Sequence, residues 1–294
     1  MNSPSGVLLV DKPTGPTSHD VVGTVRKAAN TRKVGHAGTL DPFASGLLLV
    51  LVGSATRLAE YFVGLDKGYD ATVRLGIETA THDVEGDVVF ESGEWVSLDR
   101  ETLEEALGPL RGPISQKPPA FSAKKIRGEA AHRKARRGEV VELEPVEVAV
   151  HSMTLSQIHL PEVDLTVKCS SGTYIRSLAR DLGRALGVGG HLSTLRRTEI
   201  GPFSLDEAVS LDQLREADGI QAHLMAPAPA LAHLPGVEVG PEEAARVRQG
   251  QFLTVSSVDI PQAMPVRILL EGSLVAMAFR EGNRLQPRKV LTDG

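Results

Sequence analysis

A single cysteine, Cys169, stands in the 294-residue chain. One thiol closes no intrachain disulfide and builds no Cys-x-x-Cys metal site. Such scarcity suits a reducing compartment, and the chain is expected in the cytoplasm. Long apolar runs are missing too. The longest clean one, Leu47 to Val52, is far too short to cross a membrane. No charged stretch followed by an apolar one opens the chain, so no signal peptide is expected. Nucleotide and metal signatures are equally scarce. There is no GxxxxGK[ST] loop and no HExxH, and Gly187-Val188-Gly189-Gly190 fails GxGxxG and follows a predicted helix rather than a strand. ATP, NAD and zinc are therefore disfavoured, and neither a cofactor nor a metal is expected.

What is present is ordinary in bulk and uneven in detail. Hydrophobic residues at 41% and charged residues at 23% supply a full core. The length suits one large domain plus a small one. A net charge of −5 argues on its face against a nucleic-acid binder. The charge is segregated, however. Lys117 to Arg137 holds eight Lys/Arg against the single acid Glu129, whereas Glu78 to Glu105 holds ten acids against Arg100 alone. A basic surface can thus coexist with an acidic whole.

The order of elements predicts an α+β fold with a large, mostly antiparallel sheet. Gly6 to Val10 reads as a strand entering a turn, and Ser18 as the cap of a helix burying Val21, Val22, Val25 and Ala29. Leu47 to Val52 reads as a strand buried on both faces. Tyr69, Ala71, Val73 and Leu75 alternate with polar residues, as do Val163, Leu165, Val167 and Cys169, so both runs predict half-buried strands. Asp99 is a predicted cap, and a helix carrying Ile175, Leu178, Ala179, Leu182 and Leu186 should end at Gly187. Arg176, Arg180 and Arg184 lie on one stripe of that helix, opposite its apolar face. Ala226 to Pro235 reads as a linker, and the short apolar segments beyond it as a small β module. The predicted division is a main domain at 1–230, with a basic insertion at about 117–145, and a module at 236–294.

Asp41 is the carboxylate that draws attention. It precedes Pro42, which pushes its backbone out of the helical region, and its two-glycine loop leads directly into a buried strand. That arrangement can present a nucleophile at a fixed place. An Asp-Pro turn serving no chemistry is the commoner use of the dipeptide. The surroundings decide. Gly35-His36-Ala37-Gly38-Thr39-Leu40-Asp41-Pro42-Phe43-Ala44-Ser45-Gly46-Leu47-Leu48 resembles the catalytic signature of the TruB family of pseudouridine synthases. In the family's order come Asp11-Lys12-Pro13-Thr14-Gly15-Pro16-Thr17-Ser18, Leu65-Asp66-Lys67-Gly68-Tyr69, the stretch Gln116 to Gly128, Gly172-Thr173-Tyr174-Ile175-Arg176 and Leu195-Arg196-Arg197.

The resemblance implies a role for each matched residue. Asp41 would attack the target uridine at the uracil ring or at the sugar C1′, with Arg176 paired to it. Tyr69 would cover the uracil and reach C5, and Tyr174 and Leu195 would complete the pocket. His36 would prop open the RNA loop after base flipping, and Lys12 would fix the N-terminal loop or a phosphate. Lys124 and Lys125 belong to an insertion that would clamp RNA phosphates. The implied substrate is a uridine in the tRNA T-loop, position 55 in tRNA numbering. The implied partner is tRNA through its T-arm, with the acceptor stem as a further contact, and a monomer without an obligate protein partner or membrane is expected. Ala80 and His132 depart from the family's usual residues, and 236–294 resembles a short PUA domain. A non-catalytic RNA binder would not need Asp41, Tyr69 and Arg176 together, and a nucleoside glycosidase would need a second carboxylate as acid.

Overall fold

The computed structural model describes residues 4–120, 125–126, 129–130, 137, 143–216, 220–255, 260 and 262–291. Among them, ten strands form one main sheet. In spatial order these are Val209–Ser210 (β14), Gly6–Lys12 (β1), Ser45–Val52 (β3), Gly190–Ile200 (β12), Lys67–Leu75 (β4), Glu162–Cys169 (β11), Val146–His159 (β10) and Gly112–Gln116 (β7). Val34–Ala37 (β2) adds to β3, and Phe203–Ser204 (β13) to β12. The pairs β1–β14 and β3–β12 are parallel, and the others antiparallel. The mixed, mostly antiparallel sheet is the one the sequence predicts. Strands β1 and β3 are buried on both faces, while β4 alternates, as their residue patterns require.

Helices close the sheet on both sides. Ser18–Ala28 (α1) and Leu211–Glu216 (α5) pack Val21, Val22, Val25, Leu211 and Leu214 against Leu8, Val10, Leu48 and Val50. Arg100–Leu107 (α3) and Ile175–Ala185 (α4) bury Leu103, Leu107, Leu178 and Leu182 with Tyr69, Val73, Val163 and Val167. Asp99 caps α3 through the Thr102 amide, as expected. The cap of α1 is Thr17 rather than Ser18: Thr17 and Asp20 form a reciprocal capping box. Ser18 is released for another task, described below. Short hairpins at Ile77–Thr79 (β5) with Val88–Glu91 (β6), and at Lys125–Ile126 (β8) with Glu129–Ala130 (β9), lie outside the main sheet.

The parallel junction of β3 and β12 pins the segment that follows the Asp41 loop. Gly46 sits opposite Arg197 with φ +101, and a Cβ there would fall 2.3 Å from the Arg197 carbonyl oxygen. Only glycine satisfies both the left-handed backbone and the close approach.

A second sheet of Gly236–Glu238 (β15), Leu253–Thr254 (β16), Pro265–Leu270 (β17), Ser273–Glu281 (β18) and Arg284–Val290 (β19) surrounds its own apolar cluster with helix Pro241–Arg248. The segment before it departs from the expected linker. Pro227–Ala230 is helical, Leu231 is fully buried, and Arg267 donates to the Leu234 carbonyl at 2.9 Å and the Ala228 carbonyl at 3.0 Å. Met277 and Leu291 enter the cluster formed by Leu47, Leu49, Leu51 and Phe62. Arg57 donates to the Val290 carbonyl at 2.6 Å, and Lys289 pairs with Glu60 at the head of Glu60–Val63 (α2). Composition alone hid this, because Ala and Pro serve a packed connector as well as a loose one.

Candidate active site

Residues 38–44 form the turn between β2 and β3, and each side of it is tied to a different part of the chain. The Ser18 hydroxyl accepts from the Leu40 amide at 2.9 Å and donates to the Leu40 carbonyl at 3.0 Å. Lys12, fully buried, donates to the carbonyls of Pro13 and Pro16 at 2.8 Å and of Pro42 at 3.3 Å. Burial pushes its amine down to about 8. Arg197, 1% exposed, donates to the carbonyls of Leu47 at 2.7 Å, Gly38 at 3.1 Å and Thr39 at 3.4 Å. These bonds fix the backbone on both sides of Asp41.

The Asp41 carboxylate meets the Arg176 guanidinium, Nε to Oδ2, at 3.0 Å. The same guanidinium uses Nη1 to reach Asp83 Oδ2 at 3.0 Å and the Thr81 carbonyl at 3.2 Å. The Asp41 side chain is 37% exposed, those of Arg176 and Asp83 only 7% and 3%. The arginine is thus held from behind by a buried acid while presenting another edge to a half-open one. The pKa of Asp41 lies above the usual aspartate value, chiefly because burial disfavours its charge. Arg176 opposes that rise and the like charge of Asp83 adds to it.

An open cavity of about 450 Å³ lies against this pair, walled by Asp41, Tyr69, Tyr174, Arg176, Leu195 and Arg197 and by Val63 and Lys67. Tyr69 and Leu195 project from neighbouring strands β4 and β12. Burial raises the pKa of Tyr69, and the positive charge of Arg197 beside it opposes the rise. The backbone of Tyr174 is gripped by the buried side chain of Gln116, which accepts from its amide at 2.8 Å and donates to its carbonyl at 3.0 Å. Lys67 donates to the Val63 carbonyl at 2.9 Å and to that of Leu65, and burial lowers its pKa to about 8. The chemical content is a fixed, half-exposed carboxylate of raised basicity beside a slot walled by two aromatic rings.

Residues 26–175 match the TruB family pseudouridylate synthase N-terminal domain, and residues 176–229 the tRNA pseudouridylate synthase B C-terminal domain. The chain belongs to the TruB family of pseudouridylate synthases. It is 45% identical over 292 residues to tRNA pseudouridine synthase B of Corynebacterium efficiens, covering 97% of this chain and 96% of that protein. The corresponding protein of Thermobifida fusca is 44% identical over 290 residues, covering 96% and 97%. Among solved structures, an H/ACA RNP bound to a substrate RNA containing 2′-deoxyuridine superposes with TM-score 0.74 at 27% identity, covering 98% of this chain and 85% of that one. The archaeal box H/ACA sRNP Nop10-Cbf5 complex gives 0.73 at 28%, covering 97% and 85%.

In this pseudouridylate synthase, Asp41, Tyr69, Tyr174, Arg176 and Leu195 converge on one cavity from four places in the sequence. Lys12 is a clip on the loop rather than a wall of the cavity. His36 lies on β2, outside the cavity walls, with a buried Nδ1 that has no hydrogen-bond partner among the described residues and a pKa lowered by burial. Lys125 falls on the two-residue strand β8, while Lys124 lies outside the described residues. Two of the three arginines of the α4 stripe are buried, and the third, Arg184, stays exposed but ion-paired. Arg176 and Arg180 are each 6% exposed, and Arg184 makes two bonds to Glu78, at 2.6 and 3.1 Å. Asp83 is a residue that sequence reasoning passed over, and Gln116 and Arg197 stood in its motifs without a role of their own. For Asp83 the signal was its place among ten clustered acids opposite an arginine stripe, but sequence does not say which acid meets which arginine.

Proposed function

We propose that this chain isomerises uridine to pseudouridine in tRNA, at the T-loop uridine numbered 55, with Asp41 as the covalent catalyst. The observation that carries this reading is the Asp41–Arg176–Asp83 arrangement opening onto a cavity walled by Tyr69, Tyr174 and Leu195. The tRNA substrate rests on the names of the relatives.

A stacked uridine hides C1′ and C6 from any protein carboxylate, so the nucleotide must first leave the stack. His36 stands on the neighbouring strand β2, where an unpartnered ring can fill the vacated place. Tyr69 and Leu195 hold the uracil between them, and Tyr174 closes the slot. Asp41 then attacks, the C1′–N1 bond breaks, the uracil turns, and C5 bonds to C1′. One C–N bond is exchanged for one C–C bond within the same molecule, so the scheme calls for no cofactor. Arg176 orients the carboxylate and keeps it ionised against its burial. Lys124 and Lys125, with the rest of the basic insertion, hold RNA phosphates. The C-terminal sheet is PUA-like and touches the acceptor stem, and the enzyme works as a cytoplasmic monomer without an obligate protein partner. Among the described residues, no helix is long and apolar enough to cross a membrane.

Mapping pseudouridine in a tRNA transcript incubated with the purified chain tests the reading. Product is expected at the T-loop uridine alone. Asp41→Asn keeps the shape but loses the nucleophile, so turnover should vanish while tRNA affinity stays within a few fold. Steady product formation by Asp41→Asn would overturn the covalent role.

A further inference from the structure

The charges buried around the cavity do not balance. Lys12, Lys67, Arg176 and Arg197 are buried; Asp41 and Asp83 pair with Arg176, while Asp20 and Glu85 act on Lys12, and Asp66 on Lys67, from exposed positions. Arg197 is left with three backbone carbonyls, and among the described residues no carboxylate pairs with it. A guanidinium does not shed its proton to escape burial. The buried amines of Lys12 and Lys67 do move that way, to about 8, under burial first and the charge of Arg197 among the further causes. Two permanent cations thus line the cavity, Arg176 with two carboxylates against it and Arg197 with none among the described residues. Excluding the charge of Arg197 from water costs free energy that its carbonyl partners only partly return.

The reaction supplies the missing anion. When the C1′–N1 bond of uridine breaks, its electron pair stays on the uracil, spread over N1, O2 and O4. C5 then bonds to C1′, the C5 proton departs and N1 takes up a proton, so the product is an isomer. Prior attack at C6 would also load the uracil with negative charge, on C5 and O4. We infer that Arg197 stabilises the uracil anion of the glycosidic exchange through its fixed positive charge in the cavity wall. Three backbone carbonyls hold the guanidinium in place, so no reorganisation is needed as charge develops, which is the condition for effective electrostatic stabilisation. The inference rests on the proposed isomerisation. The competing account is that Arg197 only scaffolds the loop and Tyr69.

Substrate electronics separate the two. Single-turnover cleavage is followed, with enzyme in excess, on tRNA carrying uridine or 5-fluorouridine at the target position. Fluorine withdraws electrons and stabilises the uracil anion by itself, so that substrate relies less on the cation. Arg197→Met is expected to slow uridine cleavage about 100-fold and 5-fluorouridine cleavage about tenfold less than that. Equal slowing of both would overturn the inference and leave a scaffold. Arg197→Lys covers the case in which the Met variant fails to fold. A buried amine at this position should lose its proton near the pH where Lys12 and Lys67 do, about 8. The rate of Arg197→Lys on uridine should therefore fall with rising pH relative to the parent chain, and less so on 5-fluorouridine. Parallel pH profiles would also overturn the inference. Failure of the isomerisation reading looks different, because Asp41→Asn would then process either RNA.

Discussion

Replacing Asp83 by Asn tests how the site holds Arg176. The Asp83–Arg176 contact is 3.0 Å long between side chains 3% and 7% exposed, so solvent screens it little. Asn keeps an acceptor oxygen for the Thr81 hydroxyl and the Glu85 amide, both of which now use Asp83 Oδ1, but it loses the charge. A hydrogen bond to a charged group contributes about 1.5–3 kcal/mol. If that free energy holds Arg176 against Asp41 in the transition state, the single-turnover rate should fall about 10- to 150-fold, at about 1.4 kcal/mol per decade. The pH profile gives a second, independent reading. In the proposed reaction Asp41 must be ionised to attack, so the rate should rise as pH increases through its raised pKa. The charge of Asp83 is one cause of that rise, after burial. Removing it should move the acid limb of Asp83→Asn to lower pH even as the plateau drops. The assay is product formation from tRNA at saturating enzyme across the acid range, with a thermal melt to confirm folding. An unchanged plateau would show that Asp83 does not hold Arg176 for catalysis. An acid limb displaced upward would refute the electrostatic reasoning.

Arg176→Lys keeps charge but not the fork that reaches Asp41 and Asp83 at once, so it should cost far more in single-turnover rate than in tRNA affinity, and equal losses would reduce Arg176 to an RNA contact. Neutralising Lys124, Lys125, Arg133 and Arg136 together should reduce the log–log salt slope of tRNA binding by up to about 3, and an unchanged slope would place the RNA elsewhere. Ending the chain at Ala232 removes Met277 and Leu291 from the cluster beneath Leu47 and Leu51, at about 2–5 kcal/mol for each large buried side chain lost. The shortened protein should be insoluble or melt far lower, whereas an unchanged melting temperature would show that the module merely leans on the main domain.

The sheet was legible because its strands carry their burial in their residue pattern. Tyr69 to Leu75 alternates and is half buried, whereas Leu47 to Val52 is apolar throughout and buried on both faces. The loop bearing Asp41 was legible through its glycines and Pro42, and the pairing of Asp41 with Arg176 through resemblance. What escaped was partner choice between distant segments. Ser18 looks like a helix cap, and Thr17 beside it could serve as well; only the fold shows that Ser18 is spent on Leu40. The arginine stripe of α4 looks solvated until Glu78 and Asp83 arrive from the β5–β6 hairpin region to meet it. Gln116 is one polar residue among many until its amide is seen to match both backbone groups of Tyr174. Ala226 to Pro235 has the composition of a linker, and its packing depends on Arg267, far along the chain.

The docking of the second sheet has a consequence for how the protein is made. Leu47, Leu49, Leu51 and Phe62 belong to the same cluster as Met277 and Leu291. A ribosome adds about 5–20 residues per second, so roughly 10–50 s separate the emergence of the first group from that of the last. During that interval β3 can pair with β1, and Phe203 and Leu231 can join the cluster, yet the part of the apolar surface that Met277 and Leu291 cover stays open. The nascent chain therefore carries an exposed sticky face for longer than a small domain needs to fold, and a ribosome that stalls within the second sheet would release a species primed for aggregation rather than a smaller working enzyme.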